Sequence, residues 1–556
     1  MNPSKQNQLA SNGTREEANI SHEGINQGTI KAKQKGDNEE TNSGPTVQDN
    51  HLQRDLQSQT LEKQILKETI DPPDGNKIPE QQDVPYTSFS TWEKRFLVLI
   101  ATFACFFSPF TTQIYFPAIN TIAKDLHVTS SQVNLTVTTY MILQAIAPAF
   151  IGGFSDSAGR RPAYIICFTI YIISNIALAL QNNYVALLIL HIATSAERGI
   201  YIGYASMMAG FAPAVGPILG GIISQYTSWK WIFGFLAIFS TVFFIPLLLF
   251  MPETCRKIVG DGSIPPPKWS RCLTNIRDEH KLLNQGITPN YAKRDELAAA
   301  RKLRFPNPLA TLRIVSEKEA ALLLFYAGIV YAGFYAIISG MPSQFHDIYG
   351  YDDLKIGLMY LPISGGCLVA AFTQGKIIDW SYFREARRLG ITVVKSRQQD
   401  LSHFPIEKAR LQVGFPMIIL ASLSTITYGW LMHFKVNIAG LCVILVILGY
   451  TLIASTQAVS ILIVDVNAGA AGTATAGFNL VRCLLGAGST ALIVPMVNRM
   501  GLGWAYTFIA LLYVFLSPML FAVIKWGPGW RRERAERERV EEDRKNENEG
   551  GNMVEK

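Results

Sequence analysis

Apolar residues along this chain come in unbroken runs rather than in alternation. Such runs lie near residues 96–118, 132–154, 162–181, 200–222 and 231–251, and, after a polar interval, near 319–341, 354–378, 411–432, 438–464, 473–496 and 504–525. A hydrocarbon core about 30 Å thick takes roughly 20 apolar helical residues, and each run comes close to that length or exceeds it. Within lipid only helices and closed barrels satisfy every backbone hydrogen bond, and runs without strand-like alternation select helices. The pattern predicts an all-α polytopic membrane protein with eleven clear spans.

Hydrophobic residues make up 49% of the 556 positions, yet residues 1–90 are crowded with Gln, Asn, Glu, Lys, Ser and Thr, so the remainder is far more apolar than that average. Residues 1–90 cannot build a core and are expected to be a disordered tail. They lack the short basic-then-apolar layout of a cleavable signal, which leaves targeting to the first span. The rest divides into a first bundle (91–251), a central loop (252–318), a second bundle (319–526) and a charged tail (527–556). Of the seven cysteines, Cys105, Cys167, Cys367, Cys442 and Cys483 lie inside spans. They form no metal or disulfide spacing and read as small apolar packing residues.

Charge orients the spans. The net charge is +7, and Lys and Arg gather in 252–318, in 380–410 and after Trp530. The positive-inside rule places all three in the cytoplasm, together with both termini. In the alternate connections Lys124, Lys230, Lys435 and Arg499 stand nearly alone. Loops that flank spans account for the basic runs without a nucleic-acid partner. This orientation exposes a defect of parity. The turn at Arg160-Arg161 and the interval 252–318 belong on one side, yet three runs separate them. The leftover material, Asn182 to Gly199, is apolar only from Tyr184 to Leu190 before His191, Glu197 and Arg198. Either a short distorted helix passes here, or one crossing has been lost.

Gly152 and Asp156 at the end of the second span have the same separation as Gly375 and Asp379 at the end of the second span after the interval, and a basic segment follows each pair. This is an internal repeat. The run Gly152 to Pro162 matches the signature loop of the major facilitator superfamily. The stretch Gly210 to Gly221, with Pro213, Gly216, Pro217 and Gly220, matches a Gly-Pro-rich fifth-helix motif associated with antiporters. Pro252-Glu253-Thr254 and Asn479-Leu480-Val481-Arg482-Cys483 resemble a fungal subgroup. Over residues of about 90–530 the chain resembles that superfamily, and within it the fungal twelve-spanner drug:proton antiporters of the quinidine and multidrug-resistance type.

The resemblance implies two pseudo-symmetric six-helix bundles with a substrate site between them near the midplane. It also implies residence in the plasma membrane as a monomer and export of drugs or self-made metabolites against protons. In this family the fourth helix begins with an Arg followed by Gln and Gly residues. Here His191 is followed almost at once by Glu197-Arg198-Gly199, so that helix and its Arg look excised.

The motifs have readable physics. Asp156 can accept hydrogen bonds from a neighbouring helix N-terminus, whose dipole favours an anion. Arg160 and Arg161 can pair with carboxylates or headgroup phosphates, or serve only as topology anchors. Gly152, Gly153 and Gly159 allow close approach and a tight turn. Gly216 and Gly220 form a small-xxx-small face, and Pro213 and Pro217 free backbone carbonyls and bend the helix.

Arg482 lies well inside a span, where an arginine costs roughly 2.5 to 3.5 kcal/mol by insertion scales and is a functional candidate by default. It could hold an anionic substrate group, pair with a carboxylate, or be satisfied by backbone carbonyls. Gln113, Tyr115, Asn134, Tyr140, Gln144 and Asn479 suggest a weakly polar cavity, with Tyr331 and Tyr335 sharing one helix face. Such a surface suits a small organic substrate and broad selection. No carboxylate lies deep in a span, so proton exchange rests on the resemblance alone. No Walker-type loop, catalytic triad or metal cluster is present, and neither an enzyme nor a cofactor is expected. An importer or facilitator of the same fold, and a non-transporting or truncated relative, remain open readings.

Overall fold

Every regular element among the described residues is helical. The computed structural model describes residues 91–194, 211–260, 263–286, 291–300, 308–390, 404–467 and 470–554. Helix α1 (Thr91–Tyr115) passes through a 3-10 turn at Phe116–Ala118, where Pro117 removes a backbone donor, into α2 (Ile119–Asp125). Helix α3 (Ser130–Ala158) starts on a capping box: Thr129 Oγ1 accepts the Gln132 amide, and the Gln132 side chain accepts the Thr129 amide. After α4 (Arg160–Leu180), the short α5 (Tyr184–Ala193) begins on Asn183, whose Oδ1 accepts the Val185 amide. Helices α6 (Ala212–Tyr226) and α7 (Lys230–Phe250) complete the first half.

Four short helices fill the polar interval: α8 (Arg256–Val259), α9 (Leu273–Asn284), α10 (Tyr291–Ala300) and α11 (Pro308–Ser316). Arg271 pairs with Glu279 at 2.8 Å, and Tyr291 donates its hydroxyl to the same carboxylate, which holds the phenol above its ordinary range. The second half consists of α12 (Lys318–Tyr349), α13 (Asp353–Arg388), α14 (Ile406–His433), α15 (Ile438–Val466), α16 (Ala471–Met500), α17 (Leu502–Leu516) and α18 (Pro518–Val554).

Among the described residues nine helical stretches are long and apolar enough to cross a membrane, and α3 is a 29-residue helix besides. The helices overrun the apolar runs at several ends. The seventh run ends near 378, yet α13 continues to Arg388 because Glu385 is paired with both Arg388 and Lys408. Outward faces are apolar: Trp231, Ile238, Val242 and Ile245 are exposed on α7, and Leu484 and Leu492 on α16. Stripes of that kind face lipid.

The turn at Gly159 and the polar interval share one face of the molecule, the basic face. Helix α5 starts at the opposite face, since Tyr184 Oη donates to Gln132 O, 2.8 Å away, at the start of α3. Ten residues carry it about 15 Å inward. Helix α6 ends back at the opposite face, where Ser224 reaches the start of α13. Between α4 and α7 the described helices thus start and end at the opposite face, with α5 about half the length of a crossing. Residues 195–210, which include the start of the expected 200–222 run, Gly210, Glu197 and Arg198, lie outside the described residues.

The halves meet along two seams, α3 against α16 and α6 against α13, and α6 also packs on α1. Small residues bring the backbones together. A Cβ on Gly220 would lie 1.9 Å from the Ile114 carbonyl oxygen, and one on Gly357 would lie 2.5 Å from that of Pro217. Such close approach is how helices gain dispersion contact where lipid supplies no hydrophobic drive.

Gly220→Ala is therefore expected to destabilise by about 1–3 kcal/mol, since neither backbone can retreat without parting α1 from α6. Gly365→Ala, at a site with nothing within 4 Å, should be neutral or slightly stabilising. Thermal unfolding of the two purified variants in one detergent checks the contrast, and equal midpoints would refute the packing account.

Candidate functional site

The signature turn is built around a carboxylate from a distant part of the chain. Glu253, which follows α7, is 1% exposed. Its Oε1 accepts the backbone N–H groups of Arg160, Thr254 and Cys255, each at 2.9 Å. Its Oε2 accepts the Arg161 N–H at 3.2 Å and the Ser270 hydroxyl at 3.0 Å. The first N–H groups of α4 have no intrahelical partner and carry the positive end of the helix dipole, so a buried anion belongs there. Gly159 must be glycine on two counts: φ is +115°, and a Cβ would stand 2.6 Å from Glu253 Oε2.

The carboxylate at the start of α4 is thus Glu253, which follows α7. Gly152 and Asp156 lie in the last turns of α3, and the Asp156 side chain lies outside the described residues. Arg161 departs from the expectation of a carboxylate or phosphate partner. It is 4% exposed, and its two terminal nitrogens donate to the carbonyl oxygens of Leu248 and Arg271. Buried between helix ends, it ties α4 to α7 and to the interval. Arg160 is exposed and reaches Thr254 Oγ1 at 3.5 Å.

The repeat in the second half keeps the place but changes the chemistry. Arg410 of α14 bonds Asp465 at 2.9 Å and Asp379 at 3.3 Å, and its guanidinium lies 4.9 Å from the Tyr382 ring. Helix α18 closes this end from the side. Arg531 donates to Phe404 O at 2.9 Å beside Glu407, and Arg534 binds Glu317, Asn467 Oδ1 at 2.9 Å and Val466 O at 2.7 Å.

At the opposite face the halves are latched through Asp353, a residue that sequence reasoning passed over. It is 7% exposed, and its Oδ2 accepts the hydroxyls of Thr121 at 2.6 Å and Ser224 at 2.5 Å, both from the first half. Asn120 Nδ2 adds a bond to Pro342 O at 2.9 Å. Along the same seam Pro217 lacks the N–H that would bond Pro213 O, and the freed carbonyl accepts Ser364 Oγ at 2.7 Å. Gly216 and Gly220 lie on α1 beside Gln113 and Ile114.

Between the two ends lies a polar cluster shared by both halves. Tyr140 Oη donates to Ser108 O at 3.1 Å, Gln144 Nε2 donates to Ser108 Oγ at 2.9 Å, and Gln144 O accepts Asn479 Nδ2 at 3.1 Å across the seam. Asn479 Oδ1 in turn accepts Arg482 Nε at 3.2 Å and Nη2 at 3.1 Å. The Arg482 guanidinium lies 4.7 Å from the Tyr331 ring centre, and Tyr331 and Tyr335 are 5.2 Å apart. Tyr115 joins through His191, whose ring lies 5.0 Å from Tyr115 and 5.1 Å from Tyr140. No described hydrogen bond ties Gln113 or Asn134 to this cluster. Among the described residues, Gln113 Oε1 and both amide atoms of Asn134 are buried and find no hydrogen-bond partner.

A family model described as Major Facilitator Superfamily matches residues 101–196 and 186–490. The chain belongs to the major facilitator superfamily. Its two matched stretches meet within 186–196, where α5 gives way to the undescribed residues. The MFS-type transporter phiD of Fungal sp. (strain ATCC 74256) is 42% identical over 481 residues, spanning 83% of this chain and 72% of that protein. The MFS-type transporter tstD of Talaromyces stipitatus is 40% identical over 475 residues, 82% of this chain and 86% of that one. Citrate exporter 1 of Aspergillus niger is 30% identical over 481 residues, 82% and 90% of the two chains. A crystal structure of a D-xylose-proton symporter aligns with a TM-score of 0.52 at 14% identity, over 76% of this chain and 97% of that one, a likeness of fold. This facilitator is a multi-pass membrane protein of a fungal transporter family, and its work is membrane transport.

Two outcomes test the ends of the site. Glu253→Ala should cost at least about 3 kcal/mol in thermal unfolding, because several buried donors lose their acceptor at once; a midpoint equal to the parent's would disprove the cap. Asp353→Ala should raise the labelling rate of Ser364→Cys by an impermeant maleimide severalfold, read by mass spectrometry of the peptide. An unchanged rate would mean that Asp353 does not hold the seam shut.

Proposed function

We propose that this facilitator exports small organic molecules across the plasma membrane, exchanging them for protons by alternating access, and that it works as a monomer. The basic face is then cytoplasmic, with both termini there, and the divisions are a tail (1–90), a first bundle (91–251), a central loop (252–318), a second bundle (319–526) and a charged tail (527–556). The observation that carries this reading is the asymmetry of the seams. The described bonds between the halves run from the opposite face, at Asp353 and Asn120, to Gln144–Asn479 in the middle, so the polar cluster sits behind a closed outer end. Export is supported by the Gly-Pro motif of α6 and by the likeness to citrate exporter 1 of Aspergillus niger. The proposed roles are closure of the basic face for Gly152, Asp156, Gly159, Arg160 and Arg161, and bending and sealing for the Gly210 to Gly220 segment. Arg482, Asn479 and the tyrosines around them would contact the substrate.

A second reading, a relative that does not transport, is favoured by the ten residues of α5. Inside-out vesicles separate the readings. With an acidic lumen, a proton antiporter should accumulate labelled citrate or rhodamine 6G severalfold above vesicles lacking the protein, and a protonophore should abolish the gain. Gradient-independent equilibration would identify a facilitator, and no movement of either probe would favour the non-transporting reading.

A further inference from the structure

We infer that the midplane site takes an organic anion, a molecule with a carboxylate and an aromatic or apolar body, whose acid group docks on Arg482. The inference rests on the transport reading above and gives its cargo a charge class.

Arg482 is the twelfth residue of a 30-residue helix. Leu484 and Leu492 of the same helix are 44% and 63% exposed on the outward face, and Arg482 lies about 160° around the helix from the first and about 80° from the second, on the flank of that face. The guanidinium is drawn toward the seam by Asn479, which accepts two of its N–H groups and whose own amide bonds the other half through Gln144 O. It is only partly buried.

Its own half holds it in a fixed pose without neutralising it. Nε and Nη2 share Asn479 Oδ1, the rings of Tyr331 and Phe478 flank Cζ at 4.7 and 5.7 Å, and no carboxylate lies within 4 Å among the described residues. Nη1 has no described hydrogen bond. An arginine carries five donors in a planar fork that matches a carboxylate in bidentate fashion, so the pose leaves one arm of that fork for a ligand. The groups bonded into the cluster (Tyr140, Gln144, Asn479) are neutral. The buried carboxylates among the described residues lie toward the two faces, Asp353 at one and Glu253, Glu319, Glu385 and Glu407 at the other. Among the described residues the middle layer thus holds one cation, Arg482, and no anion, a field that favours an anionic cargo over a cationic one. Tyr331 and Phe478, which flank the guanidinium, supply aromatic surface for the cargo's body.

Carboxyfluorescein and rhodamine 6G share a xanthene core and differ in charge, which makes them a direct probe pair. Accumulation of both in inside-out vesicles carrying the full chain should favour carboxyfluorescein by at least about tenfold, the worth of one charge-assisted hydrogen bond. Arg482→Gln should erase that preference, and Arg482→Lys should keep part of it. Preference for rhodamine 6G, or a preference unchanged in Arg482→Gln, would overturn the anion site while leaving transport intact. Fluorescence anisotropy on the purified protein covers the case in which neither dye moves. Carboxyfluorescein binding that weakens about tenfold in Arg482→Gln but not in Gly365→Ala would uphold the site and count against transport; equal binding by the parent and Arg482→Gln would overturn the site.

Discussion

Backbone contact between α6 and its two neighbours is the constraint on which the arrangement of the halves depends. Lipid offers no gain from burying one apolar side chain against another, so helices stay together where small residues let main chains touch. Gly216 and Gly220 seat α6 on α1 within its own half, while Gly221 and Gly357 seat it on α13 of the other. One fifteen-residue segment thus belongs to both halves. It brings Ser224 to Asp353 and Pro213 to Ser364, so the polar latch of the opposite face is a consequence of the glycine packing.

The basic face is organised differently in the two halves. In the first, one buried carboxylate gathers backbone donors from α4 and from the start of the interval, and a buried arginine gathers carbonyls. In the second, Asp379, Arg410 and Asp465 form a partly exposed ion-pair chain, with α18 adding arginines from the side. Hydrogen bonds to a buried charge are worth about 1.5–3 kcal/mol each, while exposed ion pairs contribute little. The first half is accordingly fixed by its turn, the second by the added helix. The Gly-xxx-Asp pair recurs in both halves while the chemistry around it differs.

Much of this was legible along the chain. The spans were, because lipid demands their composition whatever their neighbours. The small-residue face of α6 was, because Gly216 and Gly220 are one helical turn apart and need no partner to be noticed. The depth of Arg482 was, but its lack of an acidic partner was not, since that depends on residues from other helices. Glu253 stood out only as part of a family mark; its role requires Arg160, 93 residues away. Asp353 was hidden by its neighbour. An acidic pair at the start of a span reads as a helix cap, and Asp352 does cap α13, accepting the Lys355 amide at 2.9 Å. Asp353 then turns to Thr121, 232 residues away, where no local pattern could have placed it.

The distribution of bonds bears on how the molecule could move. Within each half, buried charges and carbonyls lock the helix ends at the basic face. Between halves, the described polar links are mostly neutral: they include two hydroxyls on a carboxylate, an asparagine on a proline carbonyl, a serine on a carbonyl freed by proline, an amide pair at the middle, and longer contacts such as Lys124 to His346 and Thr138 to Ala487 O, each 3.4 Å. Hydroxyls released at the opposite face would meet water, and a hydrogen bond exchanged for water costs only about 0.5–1.5 kcal/mol net. Breaking up the Glu253 cap would strand several donors without a ready substitute. Of the polar bonds, those along α6 and α13 are therefore the least costly to exchange for water, while the buried charges that fix each half at the basic face are the most costly to break, and the glycine contacts of α6 with α13 are what any parting of the halves must overcome.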